Sequence, residues 1–194
     1  MPLNRKIGYV NLSTGEIESK PIPRELRKKY IGGRGLDMYL LYNHTEPGID
    51  ALGPDNVALI SAGLLSATLS SASARTHVAA KSPQTGAVGI TNMGGFFAPE
   101  MTWAGFHHLL LKGQASEPVY IWVNDGKIEI RDASHLWGLP VRDTQKALQD
   151  ELGPEIQVLC IGPAGENLVR YANVMNGMKN AGGRSGMGAV LGSK

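Results

Sequence analysis

Val119-Tyr120-Ile121-Trp122-Val123-Asn124-Asp125-Gly126-Lys127-Ile128-Glu129-Ile130 is the stretch that decides the fold class. Two runs of β-branched and aromatic residues flank Asn-Asp-Gly, a composition that favours a tight hairpin with left-handed turn residues. Working outward, the same logic recurs. Toward the N-terminus, residues 107–112 read as a strand and Ala98-Pro99-Glu100 as a helix start. Residues 76–80 and 87–91 are strands joined by Ser82-Pro83-Gln84-Thr85-Gly86, with proline at the second turn position that types I and II prefer. Residues 57–62 form a buried strand, and residues 66–74, small and polar, form a loop that delivers Arg75 to the head of the next strand. At the start of the chain, residues 7–12 and 16–22 make a hairpin around Ser13-Thr14-Gly15. Pro23 opens a short helix that Gly32-Gly33 ends, and an apolar-rich helix over residues 36–41 stops at Pro47-Gly48. Toward the C-terminus, residues 141–152 give the clearest helix, stopped by Gly153-Pro154, and residues 157–161 and 168–174 read as strands. Hairpins outnumber strand–helix–strand crossovers, so the expected class is α+β with mostly antiparallel or mixed sheets.

Glycine supplies the second signal. The chain has 25 glycines, where average usage predicts about 14. They concentrate in Asn180-Ala181-Gly182-Gly183-Arg184-Ser185-Gly186-Met187-Gly188 and in a sister segment, Asn92-Met93-Gly94-Gly95-Phe96-Phe97. Missing side chains let the backbone approach a bulky group, and successive N–H groups can converge on an anion. Two such segments in one domain fit a ligand with two phosphate-bearing arms, and Arg75 can offer a bidentate guanidinium to phosphate. Known nucleotide motifs come close and fail: Gly186-x-Gly188-x-x-x-Gly192 is a loose version of the dinucleotide fingerprint whose acidic partner would fall about 20 residues on, past Lys194, and Gly192-Ser193-Lys194 has the wrong order for a P-loop. The chain ends inside a helix start, as a segment of a longer protein would.

Charge and composition narrow the function further. A net charge of +2 argues against a nucleic-acid groove, and the basic run from Arg24 to Lys29 reads as the solvated side of a helix. The single cysteine, Cys160, excludes an internal disulfide, fits a reducing compartment and sits in a buried-strand pattern. No apolar run follows Met1–Lys6, and none approaches the ~18 residues of a membrane span, so a cytoplasmic protein is expected. Metal-ligand spacing is absent: His107 and His108 are adjacent and face opposite ways on a strand, and His44, His77 and His135 are isolated. Asp125, Asp132 and Asp143 read as a turn, a strand end and a helix start. What remains is an anion site without a catalytic group.

A set of longer motifs carries a resemblance. Ile31-Gly32-Gly33-Arg34-Gly35-Leu36, Lys81-Ser82-Pro83-Gln84-Thr85-Gly86, Gly94-Gly95-Phe96-Phe97-Ala98-Pro99-Glu100, Glu129-Ile130-Arg131-Asp132-Ala133-Ser134-His135-Leu136-Trp137-Gly138, Ile161-Gly162-Pro163-Ala164-Gly165-Glu166-Asn167-Leu168-Val169 and Gly186-Met187-Gly188-Ala189-Val190-Leu191-Gly192-Ser193-Lys194 run in order over nearly the whole chain. Together they resemble the N-terminal domain of tungsten-containing aldehyde:ferredoxin oxidoreductases. The resemblance implies that residues 1–194 form a single cofactor platform of two packed sheets with flanking helices and an internal pseudo-twofold duplication. It further implies a tungsten bis-pterin cofactor (tungstopterin), whose phosphates a magnesium ion bridges. Arg75, Asn92 and Gly94 match the first pterin-contacting segment, and Asn180, Ala181 and Gly183 the second. The backbone carbonyls of Asn92 and Ala181 match the magnesium ligands, so both should lie at the rim of one groove with Arg75 on the same side. Asn180 stands where a basic residue is expected, Ser185 where glycine is common, and Leu64-Leu65 where Pro-Leu is usual.

In such an enzyme, an aldehyde substrate is oxidised to a carboxylic acid and ferredoxin accepts the electrons. Later helical domains supply four cysteines for a [4Fe-4S] cluster and the acid–base groups, so these 194 residues alone should be inactive and carry no cluster. A relative acting on an aromatic acyl thioester, and a non-catalytic phosphate- or pterin-binding module, are the alternatives. Phe96, Phe97, Met101 and Trp103 should leave an apolar face that favours a homo-oligomer. Neither nucleic acid nor membrane is an expected partner.

Overall fold

The computed structural model describes residues 5–194, so most of the N-terminal stretch read as leaderless lies outside the described residues. In chain order the elements are β1 (Lys6–Asn11), β2 (Glu16–Pro21), α1 (Arg24–Tyr30), α2 (Arg34–His44), β3 (Ala58–Ala62), β4 (Thr76–Lys81), β5 (Val88–Met93), α3 (Phe97–Trp103), β6 (His108–Lys112), β7 (Val119–Asn124), β8 (Lys127–Asp132), α4 (Val141–Leu152), β9 (Leu159–Cys160), α5 (Pro163–Glu166), β10 (Val174–Asn176), β11 (Asn180–Gly182) and α6 (Met187–Gly192). The class is α+β.

A six-stranded sheet of order β2-β1-β6-β3-β4-β5 forms the centre. It is mixed, because β1 runs parallel to β6 while the other pairs are antiparallel. Its central strands are buried on both sides, so their apolar residues alternate between two cores. Leu59, Ala79, Leu110 and Ile7 point to Leu36, Leu40 and Leu41 of α2. Ile60, Val78, Leu109 and Leu111 point the other way, to Met101 of α3 and Met187 and Val190 of α6.

The remaining strands form two ladders, β11-β10-β9 and β7-β8, so the described residues hold three sheets where the family pattern implies two. The extra one is the β7–β8 hairpin around Asn124-Asp125-Gly126. Asp125 and Gly126 both take left-handed backbone, at φ 44° and 77°, as the turn requires. The strand expected over residues 168–174 shrinks to Val174–Asn176. Leu168 is left-handed at φ 55°, and turns through Ala164, Val169 and Ala172 take up the backbone bonds after α5. Part of the second glycine segment is conversely a strand, since Asn180–Gly182 pairs with β10. Pro23 stands one position before α1, not within it.

An internal repeat is visible in the order of elements. Three antiparallel strands β3-β4-β5 lead through Gly94-Gly95 into α3, and three antiparallel strands β9-β10-β11 lead through Gly182-Gly183 into α6. The apolar face expected around the first glycine segment is split. Phe96 and Trp103 are 66% and 61% exposed, whereas Met101 is buried in the core.

Candidate functional site

One end of the large sheet collects the polar residues. Register places Ala62 opposite Thr76 and Thr76 opposite Met93, so the ends of β3 and β5 and the start of β4 share that edge. His108, at the start of β6, pairs with Ser61 in the same zone. Arg75 immediately precedes β4, and its Nη1 donates to Asn92 Oδ1 at 3.2 Å. Asn92 lies opposite His77 across the β4–β5 pair.

The second glycine segment packs against the first. A Cβ built on Gly94 would lie 3.2 Å from Asn180 Oδ1, and one on Gly182 would lie 2.5 Å from Met93 Cε. Buried Asn176 ties the two together, its Nδ2 donating to the Gly94 carbonyl at 2.6 Å. At Gly95, φ is +99° and a Cβ would meet the Asn176 amide at 2.6 Å, so only glycine fits there. Arg75, Asn92, Gly94 and Asn180 are thus brought together. Ala181 is exposed between two residues that touch the first segment, and Gly183 follows, also exposed, with only the Asn173 amide nearby. Ser185, which takes a glycine's usual place, adopts φ 66° and donates to the Ile90 carbonyl at 3.5 Å, anchoring the segment to β5.

Electrostatics sharpen this end. No described carboxylate lies within ion-pair distance of Arg75 or Arg34. The nearby acid, Asp37, is fully buried and already engaged: Ser61 Oγ donates to it at 2.6 Å, and His108 Nδ1 lies 2.9 Å from its other oxygen. Burial pushes the His77 imidazole below its ordinary value; Asp37 opposes that shift, and Arg34 and Arg75 reinforce it. Sequence reasoning passed over His77 as isolated, although it stands two positions after Arg75. His135 stays apart, 3.2 Å from Glu151. Among the described residues no group of three or more His, Cys, Asp or Glu side chains could hold a metal ion. A cation here would therefore rely on backbone carbonyls and ligand oxygens.

A cavity of about 710 Å³ lies elsewhere, between the large sheet and the β7–β8 hairpin. Leu109, Leu111, Ile121, Val123, Leu148 and Val158 line it, and none of Arg75, Asn92, Gly94 or Asn180 does. Its wall is largely apolar and carries carboxylates such as Glu100 and Glu117, which does not suit phosphate, so the strand ends remain the candidate anion site.

Residues 7–194 match the family model described as aldehyde ferredoxin oxidoreductase, N-terminal domain. The chain belongs to this family. It is 47% identical over 186 residues to the tungsten-containing aldehyde ferredoxin oxidoreductase of Thermococcus kodakarensis, covering 95% of this chain and 31% of that protein. The Pyrococcus furiosus protein of the same name is 46% identical over the same span. The chain thus spans about a third of the length of these curated relatives. A solved structure titled active site complex BamBC of benzoyl coenzyme A reductase in complex with 1,5-dienoyl-CoA matches the whole chain with a TM-score of 0.96 and 37% identity, over 30% of its own length. These curated relatives are oxidoreductases by name. Among its described residues, no helix is long and apolar enough to cross a membrane.

Proposed function

We propose that this chain is the tungstopterin-binding platform of a longer cytoplasmic oxidoreductase that oxidises aldehydes to carboxylic acids. The observation that carries this reading is the meeting of two glycine segments at one strand end, where Arg75 Nη1 reaches Asn92 and Asn180 abuts Gly94. The residues fit a phosphate-bearing group. Arg75 has no described carboxylate partner, and Gly94, Ala181 and Gly183 leave the backbone open to a bulky ligand. Arg75, Asn92, Gly94, Asn180, Ala181 and Gly183 would hold the pterins, and the carbonyls of Asn92 and Ala181 would serve a magnesium ion. When bound, the metal–pterin group supplies two-electron exchange with the substrate. This chain's residues bind and orient it, and contribute no acid–base group.

In this reading residues 1–194 are one N-terminal domain, and helical domains beyond it carry a [4Fe-4S] cluster and pass electrons to ferredoxin. The 37% identity to a benzoyl coenzyme A reductase component supports a second reading, in which the substrate is an aromatic acyl thioester. The higher identity to the aldehyde enzymes favours the first. The natural full-length protein, purified anaerobically, is to be analysed for tungsten and pterin and assayed with aldehydes and with acyl thioesters. Tungsten, pterin and aldehyde-dependent ferredoxin reduction are expected. A protein free of pterin after tungsten-replete growth would overturn the platform reading, and turnover of thioesters alone would select the second substrate.

A further inference from the structure

The strand-end site holds more basic side chains than its two glycine segments contain. Arg75 immediately precedes β4, and His77, two residues on, sits directly opposite Asn92, to which Arg75 donates. A third basic residue arrives from α2. Gly32 and Gly33, both at positive φ, turn the chain so that a Cβ on Gly33 would lie 4.0 Å from His77 Cδ2, and Arg34 follows at once. The fields of Arg34 and Arg75 both reach the His77 ring.

The His77 ring itself is oriented for donation. Its Nδ1 is sealed from solvent with no hydrogen-bond partner. A bare Nδ1 is the cheaper state there, which leaves the proton of the neutral ring on Nε2, the nitrogen that remains reachable. Neither arginine has a described carboxylate partner, and Asp37, the described acid that bears on the His77 ring, is consumed by Ser61 and His108. Such an excess of donors over acceptors fits a ligand that brings its own negative oxygens.

We propose that Arg34 and His77 join Arg75 to form a phosphoryl subsite, with Arg34 and Arg75 providing charge and His77 Nε2–H a neutral donor. This subsite rests on the platform reading and deepens it. Asn180 carries no charge in the second segment, and Arg34 brings a cation from α2. The ligand class is a phosphate mono- or diester, whether the cofactor's own phosphate or a separate phosphoryl compound.

The test uses the natural full-length protein, in cofactor-free form titrated calorimetrically with inorganic pyrophosphate, and in loaded form analysed for pterin and tungsten. Arg34→Gln and His77→Leu are each expected to weaken pyrophosphate binding about tenfold. His77→Gln, whose amide replaces Nε2–H, should bind within about twofold of the parent, which a purely structural role for the ring would not produce. Circular dichroism checks folding; should His77→Leu fail to fold, Arg34→Gln at its exposed site decides the outcome. Parallel loss of pterin in the loaded variants identifies the cofactor phosphate as the ligand, whereas weakened pyrophosphate binding with full pterin content identifies a separate phosphoryl compound; both support the subsite. If Arg75→Ala weakens binding while Arg34→Gln and His77→Leu do not, the subsite is overturned and the platform reading stands. If Arg75→Ala also changes nothing, both fall.

Discussion

The two faces of the large sheet bury neighbouring histidines in opposite ways. His108 faces α2 and is 1% exposed, with its Nδ1 on Asp37 and Asp37 in turn holding Ser61. His107, one residue earlier, is 3% exposed, and neither ring nitrogen has a partner. The difference teaches that burial alone does not fix the state of a polar group. On the α2 face a satisfied polar cluster lies beneath the candidate anion site, whereas on the other face the protein keeps an imidazole neutral by desolvation, at about pKa 4.

The largest expected effect breaks the satisfied side. Asp37→Ala would strand Ser61 and His108 in the core, and denaturant unfolding should show a loss of about 3–5 kcal/mol. A loss below about 1 kcal/mol would mean that the cluster contributes little.

On the opposite face, acid supplies the probe. The folded pKa of His107 lies below its ordinary 6.5, so the unfolded chain binds the proton first as pH falls. Above pH 6.5 the residue has no effect on stability. Between 6.5 and about 4 the cost grows, levelling near 3 kcal/mol below that range. A pH series of unfolding midpoints on the parent and on His107→Phe should differ in slope over this window, and equal slopes would count against a neutral buried ring. Burial also lowers the pKa values of His44 and His77, so part of the acid sensitivity should survive in the variant.

Third in size, Arg75→Ala should separate binding from stability. Its side chain is exposed, so unfolding should barely change, while cofactor retention in the full-length protein should weaken by about 1.5–3 kcal/mol, read as the pterin fraction lost on dialysis. The smallest effect is a null on the apolar side. Burial pushes the Cys160 thiol up to about 11, opposed only by the Gln145 amide. At pH 8 about one molecule in a thousand carries the thiolate, so alkylation by iodoacetamide should be far slower than for a free thiol.

Much of this was legible in the sequence. The Asn124-Asp125-Gly126 hairpin, the helix at Val141–Leu152 and the strand–glycine–helix order near Gly94 follow from local chemistry: left-handed turn residues, a Gly-Pro stop and period-two alternation. The two glycine segments were legible too, because close backbone approach needs glycine wherever it occurs, and the resemblance named Arg75 and Asn92 as candidates beside them. The run at Leu168–Val174 misled, since its apolar residues serve turns around α5 and not a ladder. His77 was passed over because isolation along the chain says nothing about distance across a sheet.

The sequence by itself determined the α+β class, the positions of most strands and the places of the two glycine segments. Only the tertiary structure decided that β1 pairs parallel to β6, that Asn180 meets Gly94, and that Asp37 is shared by Ser61 and His108. The physical reason is range. Turn chemistry and side-chain alternation act over a few bonds, whereas strand register and the satisfaction of buried polar groups depend on partners far away in the chain, such as Asp37 and His108, which are 71 positions apart.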